Sequence, residues 1–228
     1  MKILFYLLQW VHILSSIPRR LYSQGIEPYT LSMSTDTLGA IFNSPARVKV
    51  MRLFLLNRDT VFAPNQVASW INVSSASARK ELSGLARAGF IKKKKDGWLF
   101  DQKFEYTESL YGLLFGTEFV NKAELAAKFK RTGRIKLLLL SGIFTQNADA
   151  RLDLLLVGDN LKRSAVERII RSLEAEIGRE VAYAAFESEE FVYRASMYDK
   201  LIRDIIDFPH EKVLNTGGLL QRVPQVQV

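Results

Sequence analysis

Cysteine is absent from this sequence, and histidine occurs only twice, at His12 and His210. Without thiols the chain can form neither a disulfide bond nor a thiolate metal site. Two histidines so far apart in the chain, with no neighbouring ligands, do not indicate a zinc site. A cysteine-free composition is typical of cytosolic proteins. We therefore expect a cytoplasmic protein that holds no metal ion and no cofactor.

The chain also lacks a hydrophobic run of membrane-spanning length. The apolar stretch from Ile3 to Leu14 is interrupted by Gln9 and His12, and as a helix it would span roughly 18 Å, whereas a bilayer core is about 30 Å thick. Three interpretations of the N-terminal extension, residues 1–33, stay open: a misassigned start upstream of Met33, a helix that packs on protein or on a membrane surface, and a signal peptide. We expect no membrane partner unless this extension is genuine.

Acidic residues are scarce between residues 34 and 103, where 12 Lys and Arg stand against 5 Asp and Glu, a net charge of +7. Residues 104–228 are balanced, with 17 against 18, a net charge of −1. This asymmetry predicts that only the first part faces a polyanion. With 48% apolar residues, the 228-residue chain can bury the cores of two small domains, which argues against disorder.

The first part is predicted to contain three helices and a hairpin. The helical patterns cover residues 44–57, 63–71 and 74–90. Ser44 and Pro45 suit the N-cap and first position of the first helix, Pro64 suits the start of the second, and Gly89 suits the end of the third. Asp96–Gly97 lies between alternating residues and indicates a tight hairpin turn.

The third helix has an apolar face and a polar one. The apolar face, which should pack on the first two helices, carries Ala78, Leu82, Leu85 and Ala86. The polar side and its N-terminal end carry Ser74, Ser75, Ser77, Arg79, Lys80 and Ser83, and the hairpin adds Lys92, Lys93, Lys94 and Lys95. Small hydroxyl residues let a helix approach the major groove, and Arg and Lys reach bases or phosphates. These ten residues are the predicted DNA-binding site, in which the hairpin lysines contact the phosphate backbone.

The segment NQVASWINVSSASARKELSGLARAGFI resembles bacterial winged-helix transcriptional regulators. It has a helix, a Val-Ser start of the recognition helix and a closing L-x-x-L-x-x-A-G-F-I. The resemblance implies a winged helix over residues 34–104 that binds double-stranded DNA. The helical connector, residues 105–133, corresponds to a helix that often supports dimerisation in such regulators, so we expect a homodimer. A protein-binding winged helix with a solvated lysine loop is the alternative.

The hydrophobic pattern of the second part predicts a mixed sheet with flanking helices. RIKLLLLSGIF and ARLDLLLVG predict two buried strands, and EVAYAAFES a third. Amphipathic helices are predicted over residues 160–178 and 188–208, and residues 215–228 are expected to be a flexible tail. This order of elements, over residues 134–214, resembles the minimal nucleotidyltransferase domain of the polymerase-β superfamily.

That resemblance implies a vestigial nucleotide site. Members of this family bind nucleotide phosphates with a Gly–Ser turn and bind two magnesium ions with a D-x-D motif and a further carboxylate. Here the turn reads Ser141–Gly142, the D-x-D position reads Arg151-Leu152-Asp153, and the third strand has Ala182 or Tyr183 in place of the carboxylate. Arg151 would place a fixed positive charge beside Asp153 where a dication must bind. We therefore expect Arg151 to pair with Asp153 and the domain to be catalytically inactive.

Together these observations predict a two-domain protein of the α+β and α/β classes: an N-terminal winged helix-turn-helix and a C-terminal nucleotidyltransferase-like mixed sheet with flanking helices. The architecture resembles that of bacterial and archaeal regulators that fuse these two domains. We expect a DNA-binding transcriptional regulator and not an enzyme, whose C-terminal domain dimerises or senses an unknown small-molecule or protein effector. Two alternatives stay open: an active magnesium-dependent nucleotidyltransferase of the toxin–antitoxin type, favoured by Asp153 and the Ser–Gly turn, and a protein-binding adaptor.

Overall fold

The structure, a computed structural model, describes residues 35–116, 120–147 and 149–223. The predictions for residues 1–33 fall outside the described residues. What the structure describes belongs to one unit of the chain, Ser32–Val228. Within those ranges, every helix is either too short or too polar to cross a lipid bilayer.

The three predicted helices and the hairpin of the basic part are all present, and a further helix that was not predicted precedes them. The elements are α1 (Thr35–Ile41), α2 (Pro45–Leu56), α3 (Pro64–Trp70), α4 (Ser75–Arg87), β1 (Ile91–Lys94) and β2 (Gly97–Phe100). Ser44 caps α2 as predicted, because its side-chain oxygen accepts a hydrogen bond from the Arg47 N–H at 3.2 Å. Gly89 follows the end of α4 with φ +76°, the left-handed conformation that glycine adopts without strain. The capping signals therefore located these helix ends correctly.

The hairpin turn lies one residue earlier than predicted. Lys94 pairs with Gly97, so Lys95 and Asp96 form the two-residue loop. Gly97 has a different role: a Cβ there would lie 2.4 Å from the carbonyl oxygen of Phe62. This close approach lets Phe62 and Trp98 exchange two backbone hydrogen bonds of 2.9 Å each. The hairpin is thereby fixed to the segment between α2 and α3.

Two helices connect this part to a four-stranded sheet, with strand order β5-β4-β3-β6. The elements are α5 (Thr107–Phe115), α6 (Lys122–Lys130), β3 (Arg134–Leu140), a 3-10 turn (Gly142–Thr145), β4 (Leu154–Asp159), α7 (Arg163–Ile177), β5 (Tyr183–Glu187), α8 (Ser188–Ser196), α9 (Lys200–Asp207), β6 (Glu211–Asn215) and a second 3-10 turn (Leu220–Arg222). Strand β3 is antiparallel to β4 and β6, whereas β4 and β5 are parallel. The sheet is therefore mixed, as predicted.

Two features of the C-terminal part differ from the sequence-based expectation. The helical stretch 188–208 is divided into α8 and α9, with Tyr198 between them at φ +56°. Strand β6 was not predicted, and residues 215–223 of the expected flexible tail have defined structure, with Leu219 and Val223 buried. These residues are held because they cover the sheet's second apolar face.

The sheet separates two apolar layers because successive strand residues point to opposite faces. On one face the strand residues join the larger core, which includes α2, α4 and α7; they are Leu138, Leu140, Leu154 and Leu156. On the other they pack with α8 and α9; they are Leu137, Leu139, Leu155 and Val157. Near-continuous leucine in β3 and β4 follows from burial on both faces.

Helix α2 packs directly against the C-terminal end of α7. The buried Arg52 guanidinium donates to the carbonyl oxygens of Leu114 and Glu176, at 3.2 and 3.1 Å. Burial lowers the pKa of Arg52 to about 10. Asn57 adds a hydrogen bond of 2.8 Å to the Gly178 carbonyl. The basic part and the sheet are thus joined by polar contacts inside an apolar interface.

Candidate nucleic-acid interface and the predicted nucleotide site

Helix α4 and its N-cap expose five of the ten predicted DNA-binding residues. Ser74 caps the helix, its side-chain oxygen accepting from the Ser77 N–H at 3.2 Å, and Ser77 is half-buried. The exposed members of the set are Ser74, Ser75, Arg79, Lys80 and Ser83. Within the described ranges, neither Arg79 nor Lys80 forms an ion pair with an acidic side chain. Both cations are therefore open to an external anion.

The single acidic residue of α4 does not offset these charges at the surface. Glu81 is 3% exposed and faces inward with Ala78 and Leu82. Its carboxylate accepts hydrogen bonds of 2.8 Å from Arg47 Nε and from Ser44 Oγ. The inward orientation of Glu81 was not predicted from the sequence. Glu81 follows Ala78 by three residues, and this spacing places it on the apolar stripe of the helix. The outer face of α4 thus carries positive charge only.

The hairpin presents three free lysines, fewer than the four predicted. Lys92 is half-buried, and its Nζ donates to Asp101 Oδ1 at 3.1 Å. This hydrogen bond lowers the pKa of Asp101 below its ordinary value of 3.8. Lys93, Lys94 and Lys95 are exposed and form no ion pair with any described acidic residue. We call these three lysines, together with Ser75, Arg79, Lys80 and Ser83 of α4, the basic face.

The predicted nucleotide site is closed by the protein's own hydrogen bonds. Ser141 is fully buried, and its Oγ donates to the Pro209 carbonyl at 2.8 Å. Gly142 has φ +52°, and a Cβ there would lie 2.1 Å from Asp153 Oδ1. The turn after β3 therefore packs directly onto Asp153.

Asp153 is a buried, fully hydrogen-bonded carboxylate at the start of β4. It is 2% exposed. Oδ1 accepts from the Ile143 N–H at 2.8 Å, and Oδ2 accepts from the Ala182 N–H at 2.9 Å. Arg179 Nη2 lies 3.4 Å from Oδ2. The side chain thus joins the turn after β3 to the residue that precedes β5.

The expected pairing of Arg151 with Asp153 is wrong. Arg151 Nε instead lies 3.2 Å from Asp204 Oδ2 on α9, and Arg179 takes the place beside Asp153. The expectation assumed that both residues belong to one strand, in which residues i and i+2 share a face. Strand β4 begins only at Leu154, so the rule does not apply. Nothing in the local sequence indicates that Arg179 lies beside Asp153 or that Asp204 pairs with Arg151.

The described residues therefore contain an open basic face and a closed polar turn built on Asp153. Among those residues, no group of three or more His, Asp or Glu side chains is arranged to hold a metal ion. Comparison of the chain with protein-family models, with curated proteins and with solved structures finds no match. The functional interpretation consequently depends on the geometry of these two sites.

Proposed function

We propose that this protein is a transcriptional regulator that binds duplex DNA through a winged helix made of α2, α3, α4 and the β1–β2 hairpin. The observation that carries the proposal is the basic face. Its five cations are exposed and have no acidic partner among the described residues; they are Arg79, Lys80, Lys93, Lys94 and Lys95. Duplex DNA presents a regular array of negative charge that such a surface complements.

Helix α4 has the properties of a recognition helix. Its first turn carries the small, exposed Ser75, which permits close approach to the groove, and Arg79 follows one turn later. A guanidinium can donate two parallel hydrogen bonds to guanine, whereas an ammonium such as that of Lys80 serves bases or phosphates. Because Glu81 is turned inward onto Arg47, no carboxylate of α4 opposes the phosphates.

The hairpin supports a wing that contacts the backbone of DNA. Lys93, Lys94 and Lys95 lie at or next to its turn, and the paired hydrogen bonds between Phe62 and Trp98 hold the hairpin in place. A fixed hairpin loses little conformational entropy when it binds. Ammonium–phosphate contacts of this kind contribute salt-dependent affinity and little sequence information.

We propose that the sheet is a catalytically inactive nucleotidyltransferase-like domain. A metal ion at Asp153 would have to reach a carboxylate that is 2% exposed and already accepts from the Ile143 and Ala182 N–H groups. The Arg179 guanidinium, 3.4 Å from Oδ2, would repel such an ion. The hydrogen bonds of Asp153 therefore support a structural role, and they oppose the alternative of an active magnesium-dependent enzyme.

We further propose that the C-terminal part serves a homodimer or an effector. Three large side chains are exposed near the end of α8 and at the break before α9: Tyr193 at 65%, Met197 at 65% and Tyr198 at 56%. Contiguous exposed apolar and aromatic side chains are typical of protein-binding surfaces. This surface is a suitable contact for a second copy of the chain or for a protein effector.

The decisive experiment is a titration of the full chain with labelled duplex DNA from upstream of its own gene and with a scrambled duplex, at low and physiological salt. We expect the native sequence to bind more tightly and both affinities to fall steeply with salt. An Arg79→Ala/Lys80→Ala variant should lose the preference for the native duplex, whereas Lys93→Ala/Lys94→Ala/Lys95→Ala should weaken binding to both duplexes equally.

A matched control is Lys200→Ala/Lys212→Ala, which removes two exposed lysines that lie outside the basic face. Its affinity for either duplex should equal that of the unmodified chain. Salt-independent or undetectable binding to both duplexes would refute the proposal and favour the adaptor.

A further inference from the structure

A second group of free cations lies outside α4 and the hairpin, where α6 leads into β3 and β4 leads into α7. All five members are exposed, and none has an acidic partner within 4.0 Å among the described residues; they are Lys130, Arg131, Arg134, Lys162 and Arg163. We call this group the α6–α7 corner. The proposed winged helix does not use it.

Direct backbone contacts bring the two chain segments of this corner together. The Lys162 N–H donates to the Thr132 carbonyl at 2.8 Å. Gly133 lies so close to the second segment that a Cβ would sit 2.9 Å from the Asn160 carbonyl oxygen. Arg134 pairs with Asp159 in the β3–β4 register. The five cations therefore share one surface, although about thirty positions separate the two segments in the sequence.

The neighbouring acidic groups offset the charge of this surface only in part. Asp159 pairs with Lys136 at 2.8 Å, and that contact, more than the nearby Arg134, lowers the pKa of Asp159. Glu187 accepts hydrogen bonds of 3.0 Å from the backbone N–H groups of Asn160 and Leu161 and keeps its negative charge. Glu167, on α7, lies 3.9 Å from Arg171. Glu124, on α6, pairs with Lys128 at 2.7 Å. The α6–α7 corner consequently keeps an excess of positive charge.

Lys162 and Arg163 occupy a helix end that does not itself favour cations. They are the N-cap and first residue of α7, which has no side-chain cap and no acidic residue in its first turn. The N-terminal end of a helix carries a partial positive charge, so acidic residues stabilise it and cations do not. By contrast, Lys130 lies in the last turn of α6, where a cation is favourable. Glu187 supplies one negative charge beside the start of α7, and the two cations outnumber it.

We propose that the α6–α7 corner is a second phosphate-backbone contact surface for duplex DNA. This inference rests on the proposed DNA-binding function and extends it to the sheet. The other end of α7 contacts α2 through Gly178 and Asn57. The 15 residues of α7 place the corner about 22 Å from that contact, the length of about six base pairs of duplex. Five cations across two segments match a run of phosphates better than a single anion.

The test compares two single charge reversals in the full chain. Arg163→Glu alters the corner. Lys212→Glu makes the same change on β6, where Lys212 pairs with Leu139, five residues along β3 from Arg134 and hence roughly 17 Å away. Affinity for labelled duplex is measured over a range of salt concentrations, and the melting temperature of each variant is recorded without DNA.

We expect Arg163→Glu to weaken DNA binding roughly ten-fold at low salt and to reduce the salt slope by about one. Its melting temperature should change little, because Glu suits the first turn of a helix but faces Glu167 one turn later. A structural role for Arg163 would instead lower the melting temperature. Lys212→Glu should leave affinity and salt slope unchanged.

A second variant, Arg131→Gln/Arg134→Gln, reduces the charge on the other segment and should also flatten the salt slope. If neither corner variant changes affinity or salt slope while Arg79→Ala/Lys80→Ala loses the preference for the native duplex, the proposed second surface is refuted and the winged-helix proposal stands. If the unmodified chain shows no salt-dependent affinity for duplex DNA, both are refuted.

Discussion

Arg47 Nε and Glu81 Oε2 lie 2.8 Å apart on the inner side of α4, with Glu81 buried and Arg47 about one-third exposed. Ser44, the N-cap of α2, donates its hydroxyl hydrogen to the same carboxylate at 2.8 Å. The pair links the start of α2 to the middle of α4. It also keeps the only carboxylate of α4 away from the basic face. The Arg47–Glu81 pair therefore helps α2 and α4 to pack together. It also leaves only positive charge on the exposed face of α4.

Glu81→Ala should lower the free energy of unfolding by about 2 kcal/mol, because Arg47 and Ser44 both lose their acceptor in a partly buried site. Urea denaturation measures the change. The matched control is Glu124→Ala, which breaks the exposed pair with Lys128 and should cost less than about 0.5 kcal/mol. Equal losses in the two variants would show that burial does not strengthen the Arg47–Glu81 pair.

Gly142→Ala should be strongly destabilising, by more than about 2 kcal/mol. The residue has φ +52°, and a methyl group would lie 2.1 Å from Asp153 Oδ1. Gly112→Ala is the opposite case, since no other group lies within 4 Å of a Cβ at that exposed position of α5. That change should stabilise by about 0.5–1 kcal/mol through helix propensity. Thermal unfolding measures both changes. If the melting temperatures of the two variants shifted in the same direction, this account would be wrong.

The parts of the fold that follow local rules could be predicted from the sequence. Ser44 and Pro45 fixed the start of α2, Gly89 the end of α4, and the leucine runs located β3 and β4. Strand β6 could not be found this way. It is a short edge strand whose partner, β3, lies some seventy residues earlier, and its residues Glu211–Asn215 show no clear alternation of apolar and polar side chains.

The same distinction between local and tertiary features applies to the candidate sites. The exposed serines and cations of α4 could be predicted because helical periodicity alone separates its two faces. The pairing of Lys92 with Asp101 and of Arg179 with Asp153 could not, since ion pairs between elements depend on the tertiary fold. The pairing of Arg151 with Asp204 has the same origin, because residues i and i+2 share a face only within a strand and β4 begins after Asp153.

Asp153→Asn should destabilise the fold by about 1–3 kcal/mol. An amide has one acceptor oxygen, so its NH₂ group would face the N–H of either Ile143 or Ala182, both of which now donate to the carboxylate. DNA affinity of the folded variant should be unchanged. Asp149→Asn, at an exposed position nearby, is the control and should have no effect on stability. A stable Asp153→Asn variant that loses a magnesium-dependent turnover of ATP would restore the catalytic interpretation.

Asp101→Asn should increase DNA affinity, because it removes the negative charge 3.1 Å from Lys92 Nζ and leaves a fourth hairpin lysine without an ion pair. We expect binding at low salt to tighten several-fold and the salt slope to steepen by about one. Asp96→Asn is the matched control: it removes the same charge from the hairpin turn, at an exposed residue that pairs with no described lysine. An equal gain from both variants would show a general charge effect without release of Lys92.

The same Asp101 variant should also change the acid stability of the protein. The pKa of Asp101 is lowered from 3.8, chiefly by the hydrogen bond from Lys92. A carboxyl group with a lowered pKa in the folded state stabilises the protein above its unfolded pKa, and this contribution is lost as the pH falls through the folded value. Asp101→Asn should therefore melt below the unmodified chain at neutral pH, and the two melting temperatures should converge as the pH falls below 3.8. A constant difference across that range would mean that the Lys92–Asp101 contact is not formed in solution.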